Sequence, residues 1–471
     1  MASAPWDTVP SHDTYFVLVT GANSGIGYGI GERLIDEFLL TRSLSAHVVL
    51  IPTTRTAKKS RETVEGLRRH AREFAETSDI LRSRAGPDYD PRDTTRRVHI
   101  LSVQLDLCDF LTIRHVADEL IRGTLTGLVG SNAEDVDFFA LLVDVKIPRL
   151  DSVIFNAGIG GWTGLAWGKM AHNILTKGLV QATTWPTFKA SIAGHVVNPL
   201  AKAPKADKGE DVLLGEVFCA NVLGHHLLAH ALLPLLHRPV DSDLPRGRII
   251  WESSVEPVWD CLSLADFQAI KTPAAYESSK RLTDVLCLSS SLPATQPYVK
   301  AYLQNPAAPN TPATTPPKIY LTHPGVVQTT LFPVNAFMFF WYRIVLYVAR
   351  WLGSPWHVIT AYAGACAPVW LALQEQGALD AAQAERVKWG SSNDRAGDCR
   401  VKKTEVEGWG WEGRVEGPDG AKGVLRRGVG RKSGAADLTE ERRVEFEALG
   451  AKVWRELERL RIEWEDRIAK A

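Results

Sequence analysis

Tyr276 and Lys280 are the residues of this sequence whose types and spacing most clearly indicate chemistry. They are four positions apart, so on a helix their side chains share one face. A phenol alone has a pKa of about 10, and a nearby ammonium favours the phenolate and lowers that pKa. The pair therefore predicts general acid catalysis by Tyr276, although the same spacing also occurs on ordinary amphipathic helices.

A glycine-rich turn near the N-terminus indicates a binding site. Residues 15–20 form a strand-like run, the turn contains Gly21, Gly25 and Gly27, and a helical pattern follows. Glycines let the backbone approach a pyrophosphate, and the first N–H groups of a helix are unpaired donors. This strand, turn and helix together predict a dinucleotide site.

Apolar strand-like runs recur along the chain and alternate with helical patterns. They cover residues 47–51, 98–107, 150–158, 247–254 and 318–325. Short apolar strands separated by helices predict a parallel sheet with helices on both faces. Ligands of such sheets bind at the carboxyl ends of the strands, so we expect the residues above to meet at one edge.

Three further motifs stand between and after these two, namely Asn156-Ala157-Gly158, Ser253-Ser254 and Pro324-Gly325. With all five motifs in this order over about residues 14–330, the sequence resembles the short-chain dehydrogenase/reductase family. The resemblance implies an NADP-dependent oxidoreductase. It also implies an α/β fold, a Rossmann-type doubly wound parallel sheet, here with long insertions and a C-terminal helical extension.

The resemblance assigns catalytic roles to single residues. Tyr276 is the general acid, and Lys280 lowers its pKa and holds the nicotinamide ribose. A serine holds the substrate carbonyl; Ser254, which precedes a valine as in the family pattern, is favoured over Ser253. Asn221 matches the asparagine that bends a helix and holds a water linked to the lysine.

The resemblance likewise implies a set of cofactor-binding residues: Gly21, Asn23, Ser24, Gly25, Ile26, Gly27, Arg55, Asp106, Asn156, Tyr276, Lys280, Val327 and Thr329. Asp106 matches the residue that contacts adenine, and Val327 and Thr329 match those that contact the carboxamide. The second strand is followed by Arg55 rather than by the acidic residue that binds the ribose 2′-hydroxyl of NAD. An arginine there favours a 2′-phosphate, and the expected cofactor is NADPH.

Composition and residue spacing argue against several kinds of partner and binding site. The chain has 471 residues, of which 45% are hydrophobic, and its 54 Lys and Arg residues equal its 54 Asp and Glu residues, which argues against nucleic acid as a partner. Six scattered cysteines without CxxC spacing argue against a disulfide or zinc framework. His225, His226 and His230 have no accompanying carboxylate cluster, so we expect no metal. The N-terminus lacks a secretory apolar run, so the catalytic core is expected to face the cytosol.

The chain is expected to contain a catalytic domain and two further regions. The predicted ranges are a catalytic domain at 1–330, with insertions near 79–97, 160–210 and 293–317, apolar helices at 331–388 and a C-terminal extension at 389–471 that ends in an amphipathic helix. The Pro- and Thr-rich run 306–318 is expected to be a mobile surface loop. The 160–210 insertion is apolar enough to be a packed or substrate-facing element.

Residues 331–352 are dense in aromatic and aliphatic side chains and approach the length of a membrane span. Pro333, Asn335, Arg343 and Arg350 interrupt this segment, and the two arginines, seven positions apart, lie on one helical face. The segment is therefore interpreted as an interfacial helix or the roof of an apolar pocket. A transmembrane anchor and a buried core helix remain open as alternatives.

The run 349–359 and the Gly- and Trp-rich tail resemble, more narrowly, the fungal 3-keto-steroid reductases of sterol C4 demethylation in ergosterol biosynthesis. This resemblance implies reduction of a sterol 3-ketone to the 3β-alcohol with NADPH. It implies as partners a sterol, a membrane surface and other sterol-demethylation enzymes. The expected location is the cytosolic face of the endoplasmic reticulum membrane, with lipid droplets as a second one. Two alternatives stay open: a reductase of another lipid, a retinoid or a small carbonyl compound, and a scaffold in a lipid-synthesis complex.

Overall fold

A nine-stranded, mostly parallel sheet forms the centre of the protein. The computed structural model describes residues 4–128, 137–203, 212–304, 314–329, 336–415 and 430–471. The strands are β1 (Thr14–Val19), β2 (His47–Thr54), β3 (Val98–Ile100), β4 (Val103–Gln104), β5 (Ser152–Phe155), β6 (Trp162–Leu165), β7 (Lys189–Ser191), β8 (Val196–Val197), β9 (Leu214–Gly215), β10 (Arg238–Pro239), β11 (Arg248–Glu252), β12 (Thr314–Thr315), β13 (Lys318–His323), β14 (Lys388–Asn393) and β15 (Cys399–Thr404).

The order of the sheet is β15-β14-β13-β11-β5-β1-β2-β3, with β4 paired to β2. Every pairing in it is parallel except that of β14 with β15. The order reverses direction at β1, which leaves a crevice at the carboxyl ends of β1 and β5. The predicted fold class is confirmed, and the region after residue 330 contributes two strands to the sheet.

Helices cover both faces of the sheet. They are α1 (Gly25–Thr41), α2 (Ala57–Thr77), α3 (Asp79–Ala85), α4 (Pro91–Thr95), α5 (Phe110–Arg122), α6 (Trp167–Lys177), α7 (Leu179–Thr184), α8 (Glu216–Phe218), α9 (Gly224–Ala231), α10 (Leu233–Leu236), α11 (Ala275–Ser289), α12 (Gln296–Tyr302), α13 (Ala336–Trp351), α14 (Ala361–Gly364), α15 (Cys366–Leu373), α16 (Gln376–Ala381) and α17 (Glu440–Lys470). A π-helical turn, Cys219–Leu223, joins α8 to α9.

The apolar strands divide their side chains between two cores. One lies under α5, α9, α11 and α17, and the other lies under α1, α2 and α15. Helix α17, the amphipathic helix expected at the C-terminus, begins at Glu440, and the side chain of its N-cap residue Thr439 accepts a hydrogen bond from the backbone of Arg442. Its apolar stripe packs against α11 in the first of these cores, as an amphipathic helix requires.

The insertions have structure where they are described. The 79–97 stretch forms α3 and α4, and the 160–210 insertion forms the β6–β7 hairpin with α6 and α7 between its strands. The loop predicted at 306–318 lies largely outside the described residues, as do residues 331–335 of the apolar segment. Within the described part of the chain, no helix has the length and apolar character needed to cross a membrane.

A buried ion pair joins the C-terminal region to α11. The ammonium of Lys388 on β14 lies 2.7 Å from a carboxylate oxygen of Asp284, and their side chains are 2% and 0% exposed. The other carboxylate oxygen of Asp284 accepts a hydrogen bond of 2.6 Å from the hydroxyl of Ser253. The pair therefore connects β14, α11 and the end of β11.

We predict that Lys388→Met lowers the free energy of unfolding by about 3–5 kcal/mol, because it leaves the buried carboxylate of Asp284 without its cation. Urea denaturation of both proteins measures the difference. Lys58→Met is the matched control, since Lys58 and Glu62 are 3.7 Å apart and both exposed, and its effect should stay within about 0.5 kcal/mol. Equal stabilities of the Lys388 variant and the unmodified protein would contradict the prediction.

Candidate active site

The glycine turn has the shape that a dinucleotide requires. Gly21 and Gly25 have φ values of +64° and +54°, a region that side chains disfavour. A Cβ atom at Gly21 would lie 2.9 Å from Cα of Ala157, and one at Gly27 would overlap the amide of Asn156. Ser24, the N-cap of α1, makes no side-chain hydrogen bond to the first turn. The first N–H groups of α1 are thus offered to an anionic ligand, and the turn fits a pyrophosphate.

Asn156 fastens the glycine turn to the neighbouring strand. It follows β5, and its side-chain amide donates to the carbonyl oxygens of Thr20 at 3.0 Å and Gly21 at 3.3 Å. Its backbone N–H donates to the hydroxyl of Thr20 at 3.0 Å. Asn156, one of the predicted cofactor-binding residues, is therefore placed at the crevice between β1 and β5.

The loop after β13 covers the start of α1. Val327 packs with Val358 and Ala363 and touches Ile26. A Cβ atom at Gly25 would lie 3.7 Å from the methyl group of Thr329. The structure therefore brings both predicted carboxamide contacts to the predicted phosphate turn.

The remaining predicted cofactor-binding residues surround the same edge. Arg55 is exposed directly after β2, and Asn23 and Ser24 share an exposed hydrogen bond of 3.3 Å at the turn. Asp106 follows β4, and its carboxylate accepts a hydrogen bond of 3.0 Å from the backbone of Cys108. Because β2 and β4 are parallel neighbours, Arg55 and Asp106 lie on one side of the glycine turn.

Asn221 lies in the π-helical turn, in agreement with a bent helix at this position. Its side-chain oxygen accepts from the backbone of Ile159 at 2.8 Å, and its amide donates to the hydroxyl of Ser279 at 3.0 Å. Ser279 donates in turn to the carbonyl oxygen of Tyr276 at 2.7 Å. Asn221 thus connects the loop after β5 to the first turn of α11.

The two candidate serines have different surroundings. The hydroxyl of Ser253 points into the core, where it donates to Asp284 at 2.6 Å. Ser254 shares a hydrogen bond with the phenol of Tyr276, and that bond favours the phenolate. The hydroxyl of Ser253 is thus bonded to a buried carboxylate, whereas Ser254 is the serine that lies at the phenol.

Lys280 lies beneath Tyr276 on α11. Its ammonium is 5.7 Å from the centre of the Tyr276 ring and donates to the carbonyl oxygen of Glu252 at 2.8 Å. Burial lowers the pKa of Lys280 to about 8, and the carboxyl group of Glu252 acts in the opposite direction. The shared face predicted from the four-residue spacing is present in the structure.

The pKa of Tyr276 is raised, whereas the neighbouring ammonium of Lys280 predicts a lowered one. Burial is the largest cause, and the carboxylate of Glu256 adds to it. The expected effect of Lys280 does not prevail, because its ammonium is directed at the carbonyl of Glu252. In the protein alone, Tyr276 is held as a neutral phenol with its proton available for donation.

Several residues outside the predicted set surround the phenol of Tyr276. Trp162 of β6 packs edge-on against Tyr276 with ring centres 4.7 Å apart. The ammonium of Lys189 on β7 pairs with Glu256 and lies 3.2 Å from Glu277. Trp162 and Lys189 belong to the middle insertion, whereas Glu256 precedes Tyr276 in the sequence and Glu277 follows it. No regular spacing in the sequence connects these residues.

Two buried residues at the carboxyl ends of the central strands have polar side-chain atoms without a hydrogen-bond partner in the structure. Both carboxyl oxygens of Glu252 and the hydroxyl of Thr322 are unpaired, and the two residues are neighbours in the register of β11 with β13. Burial raises the pKa of Glu252 to about 8, and the ammonium of Lys280 opposes this rise. They lie at the carboxyl ends of their strands, and unpaired donors and acceptors there fit the polar carboxamide end of a nicotinamide cofactor.

The three histidines of the helix after Asn221 have structural partners. His225 shares a hydrogen bond of 2.9 Å with Thr20, and His226 and His230 lie 3.0 and 2.6 Å from Glu458 and Glu465. In the ranges that the structure describes, no group of three or more His, Cys, Asp or Glu side chains is arranged to hold a metal ion. These histidines hold α9 to β1 and α17.

No protein-family model matches the sequence. Individual known proteins do match it. The 3-keto-steroid reductase of Saccharomyces cerevisiae is 27% identical over 83% of this chain and 89% of its own length. Among solved structures, a 3-oxoacyl-[acyl-carrier protein] reductase from Brucella melitensis in complex with NAD is 14% identical, with a TM-score of 0.36, and covers 76% of this chain and 89% of that one.

The close relatives match nearly the whole chain. The 3-keto-steroid reductase of Gibberella zeae is 50% identical over 99% of this chain and 97% of its own length. That of Aspergillus fumigatus is 40% identical over 97% of this chain and 95% of its own length. As the narrower resemblance predicts, the chain belongs to the family of fungal 3-keto-steroid reductases.

Proposed function

We propose that the protein uses NADPH to reduce the 3-ketone of a sterol to the 3β-alcohol, as a step of sterol C4 demethylation in ergosterol biosynthesis. The observation that carries the proposal is the meeting of Ser254, Tyr276 and Lys280 beside a glycine turn shaped for a pyrophosphate. The names of the close relatives support the sterol ketone as substrate.

The chain's own residues account for the proton that the reduction consumes. Bound NADPH supplies the hydride for the carbonyl carbon. Ser254 donates a hydrogen bond to the ketone oxygen, and Tyr276 transfers its phenolic proton to that oxygen as negative charge develops there. The raised pKa of Tyr276 keeps this proton in place until the oxygen becomes basic enough to take it. Asn221 and Ser279 hold the first turn of α11 in position during the transfer.

The surroundings of the phenol suit an apolar substrate. The indole N–H of Trp185, in the middle insertion, donates to the carbonyl oxygen of Val255 at 3.0 Å, which seats the insertion on the loop after Ser254. Helix α13 packs on α7, and burial together with the charge of Glu256 raises the pKa of Tyr342 on α13. The inward side of α13 therefore faces the region of the phenol, as a roof over an apolar pocket would.

We infer that the protein attaches to the cytosolic face of the endoplasmic reticulum membrane through α13. The outward side of this helix exposes Phe337 by 72% and Trp341 by 52%, with Phe340 and Trp351 beside them. Aromatic side chains favour the membrane interface, and Arg343 adds an exposed charge for lipid headgroups. A pocket that opens beside such a helix would receive a sterol from the bilayer without passage through water.

We predict that Tyr276→Phe lowers the turnover of a 4-methyl-3-ketosterol with NADPH by about 10²–10⁴-fold, because the phenolic proton is lost. NADPH affinity, measured by fluorescence titration, should persist. Ser254→Ala should also lower turnover strongly, while Ser253→Ala is the matched control because its hydroxyl contacts Asp284. A loss in the Ser253 variant as large as that in the Ser254 variant would refute the assignment.

We predict that Arg55→Ala weakens NADPH binding by about tenfold to a hundredfold and NADH binding much less, because NADPH alone carries the 2′-phosphate. Dissociation constants for both cofactors measure the effect. Arg61→Ala, an exposed arginine further along α2, is the matched control and should leave both unchanged. Equal weakening of NADPH and NADH would count against Arg55 as the phosphate ligand.

We predict that replacing Phe337, Phe340 and Trp341 together by serine weakens binding to phosphatidylcholine and phosphatidylserine vesicles by at least about tenfold, because three apolar side chains leave the interface. Vesicle sedimentation measures the bound fraction. Ile80→Ser is the matched control, since Ile80 is an exposed apolar residue on α3. Unchanged sedimentation of the triple variant would exclude α13 as the attachment surface.

A further inference from the structure

Lys189 of the middle insertion is a buried cation that lies over the rings of Tyr276 and Trp162, and it has no part in the proton transfer described above. Its side chain is 3% exposed. The ammonium lies 4.9 Å from the centre of the Tyr276 ring and 4.2 Å from the centre of the Trp162 ring. A buried ammonium over two aromatic rings is attracted to both faces and restricts the rings in turn.

Two carboxylates hold this ammonium in place. Glu256, two residues after Ser254, pairs with it directly, and Glu277, the residue after Tyr276, lies 3.2 Å away. The three groups belong to β7, the loop after β11 and α11. Lys189 is thus the point at which the middle insertion, the serine loop and the catalytic helix meet.

The charges around the phenol oppose its ionisation. Glu256, Glu277 and Glu252 each raise the pKa of Tyr276. Burial raises the pKa of Glu256, and Lys189 is the largest influence that lowers it. The other groups near the phenol are Lys280 below it on α11 and Tyr342 of α13, which also responds to the charge of Glu256.

We propose that Lys189 is a positioning residue of the active site, which holds Tyr276 and Trp162 in place and compensates the carboxylates beside the phenol. The proposal rests on the proposed function, in which Tyr276 is the acid. In that step the O–H bond of Tyr276 breaks, the proton bonds to the former ketone oxygen, and the electron pair stays on the phenolate. The phenolate ring then has two ammonium groups near it, Lys189 at 4.9 Å and Lys280 at 5.7 Å from the ring centre.

Removal of the ammonium should change how the reaction depends on pH. Without Lys189, the carboxyl of Glu256 loses the cation that lowers its pKa most, so it ionises at a higher pH than in the unmodified protein. Below that pKa the carboxyl is neutral, and above it the unpaired carboxylate raises the pKa of Tyr276 and makes the phenol a weaker acid. The rate of Lys189→Met should therefore fall as pH increases through this ionisation, by about tenfold relative to the unmodified protein.

The experiment compares kcat against pH for the unmodified protein, Lys189→Met, Lys189→Arg and the double variant Lys189→Met with Glu256→Gln. We expect the alkaline loss in Lys189→Met alone, recovery of the original profile in the double variant, and a near-original profile in Lys189→Arg. NADPH affinity should be the same in all four proteins. A Lys189→Met profile parallel to the original, or one that the Glu256 replacement leaves unchanged, overturns the proposal.

Infrared spectroscopy separates this inference from the proposed function. In a pH titration, the carbonyl band of protonated Glu256 should persist to higher pH in Lys189→Met than in the unmodified protein, and the double variant should lack this band, whether or not a sterol is turned over. Loss of the band at the same pH in both proteins overturns the role of Lys189. Persistence of the band to higher pH together with no turnover of any sterol ketone by the unmodified protein would reject the proposed function instead. If Lys189→Met does not fold, Glu256→Gln alone is the test: it should raise the alkaline rate, and an unchanged rate overturns the proposal.

Discussion

The pairing of Asp284 with Lys388 is the interaction on which the position of the catalytic helix depends. Asp284 lies one turn after Lys280 on α11 and is fully buried, and an uncompensated carboxylate there would cost several kcal/mol. Its cation comes from β14, more than a hundred residues later in the chain. The strands after residue 330 therefore complete the site, because without them α11 has no stable place against the end of β11.

The middle insertion also determines the surroundings of Tyr276. The middle insertion contributes Trp162 and Lys189, which pack against the phenol ring. Burial raises the pKa of Tyr276, and the exclusion of water strengthens the charge interactions around it. The insertion thus helps to set the electrostatic surroundings of the acid.

Local patterns predicted the sheet, the glycine turn and the shared face of Tyr276 and Lys280, because each depends on residues within a few positions of one another. The hydrogen-bond partners that distinguish Ser253 from Ser254 could not be predicted, because the acceptor of the Ser253 hydroxyl, Asp284, is distant in the sequence. The raised pKa of Tyr276 likewise depends on Glu256 and on burial by an insertion. Pairings such as Lys189 with Glu277 leave no periodic signal, and only the folded chain brings them together.

The docking of α17 on α11 has a consequence for biosynthesis. The indole N–H of Trp454 donates to the carbonyl oxygen of Leu286 across a separation of 168 residues. At a translation rate of about 5–20 residues per second, the apolar side of α11 waits roughly 10–30 s for its cover. During that interval the nascent chain presents an unpaired hydrophobic helix at the ribosome, which makes the unfinished protein a client for holding chaperones and a substrate for aggregation.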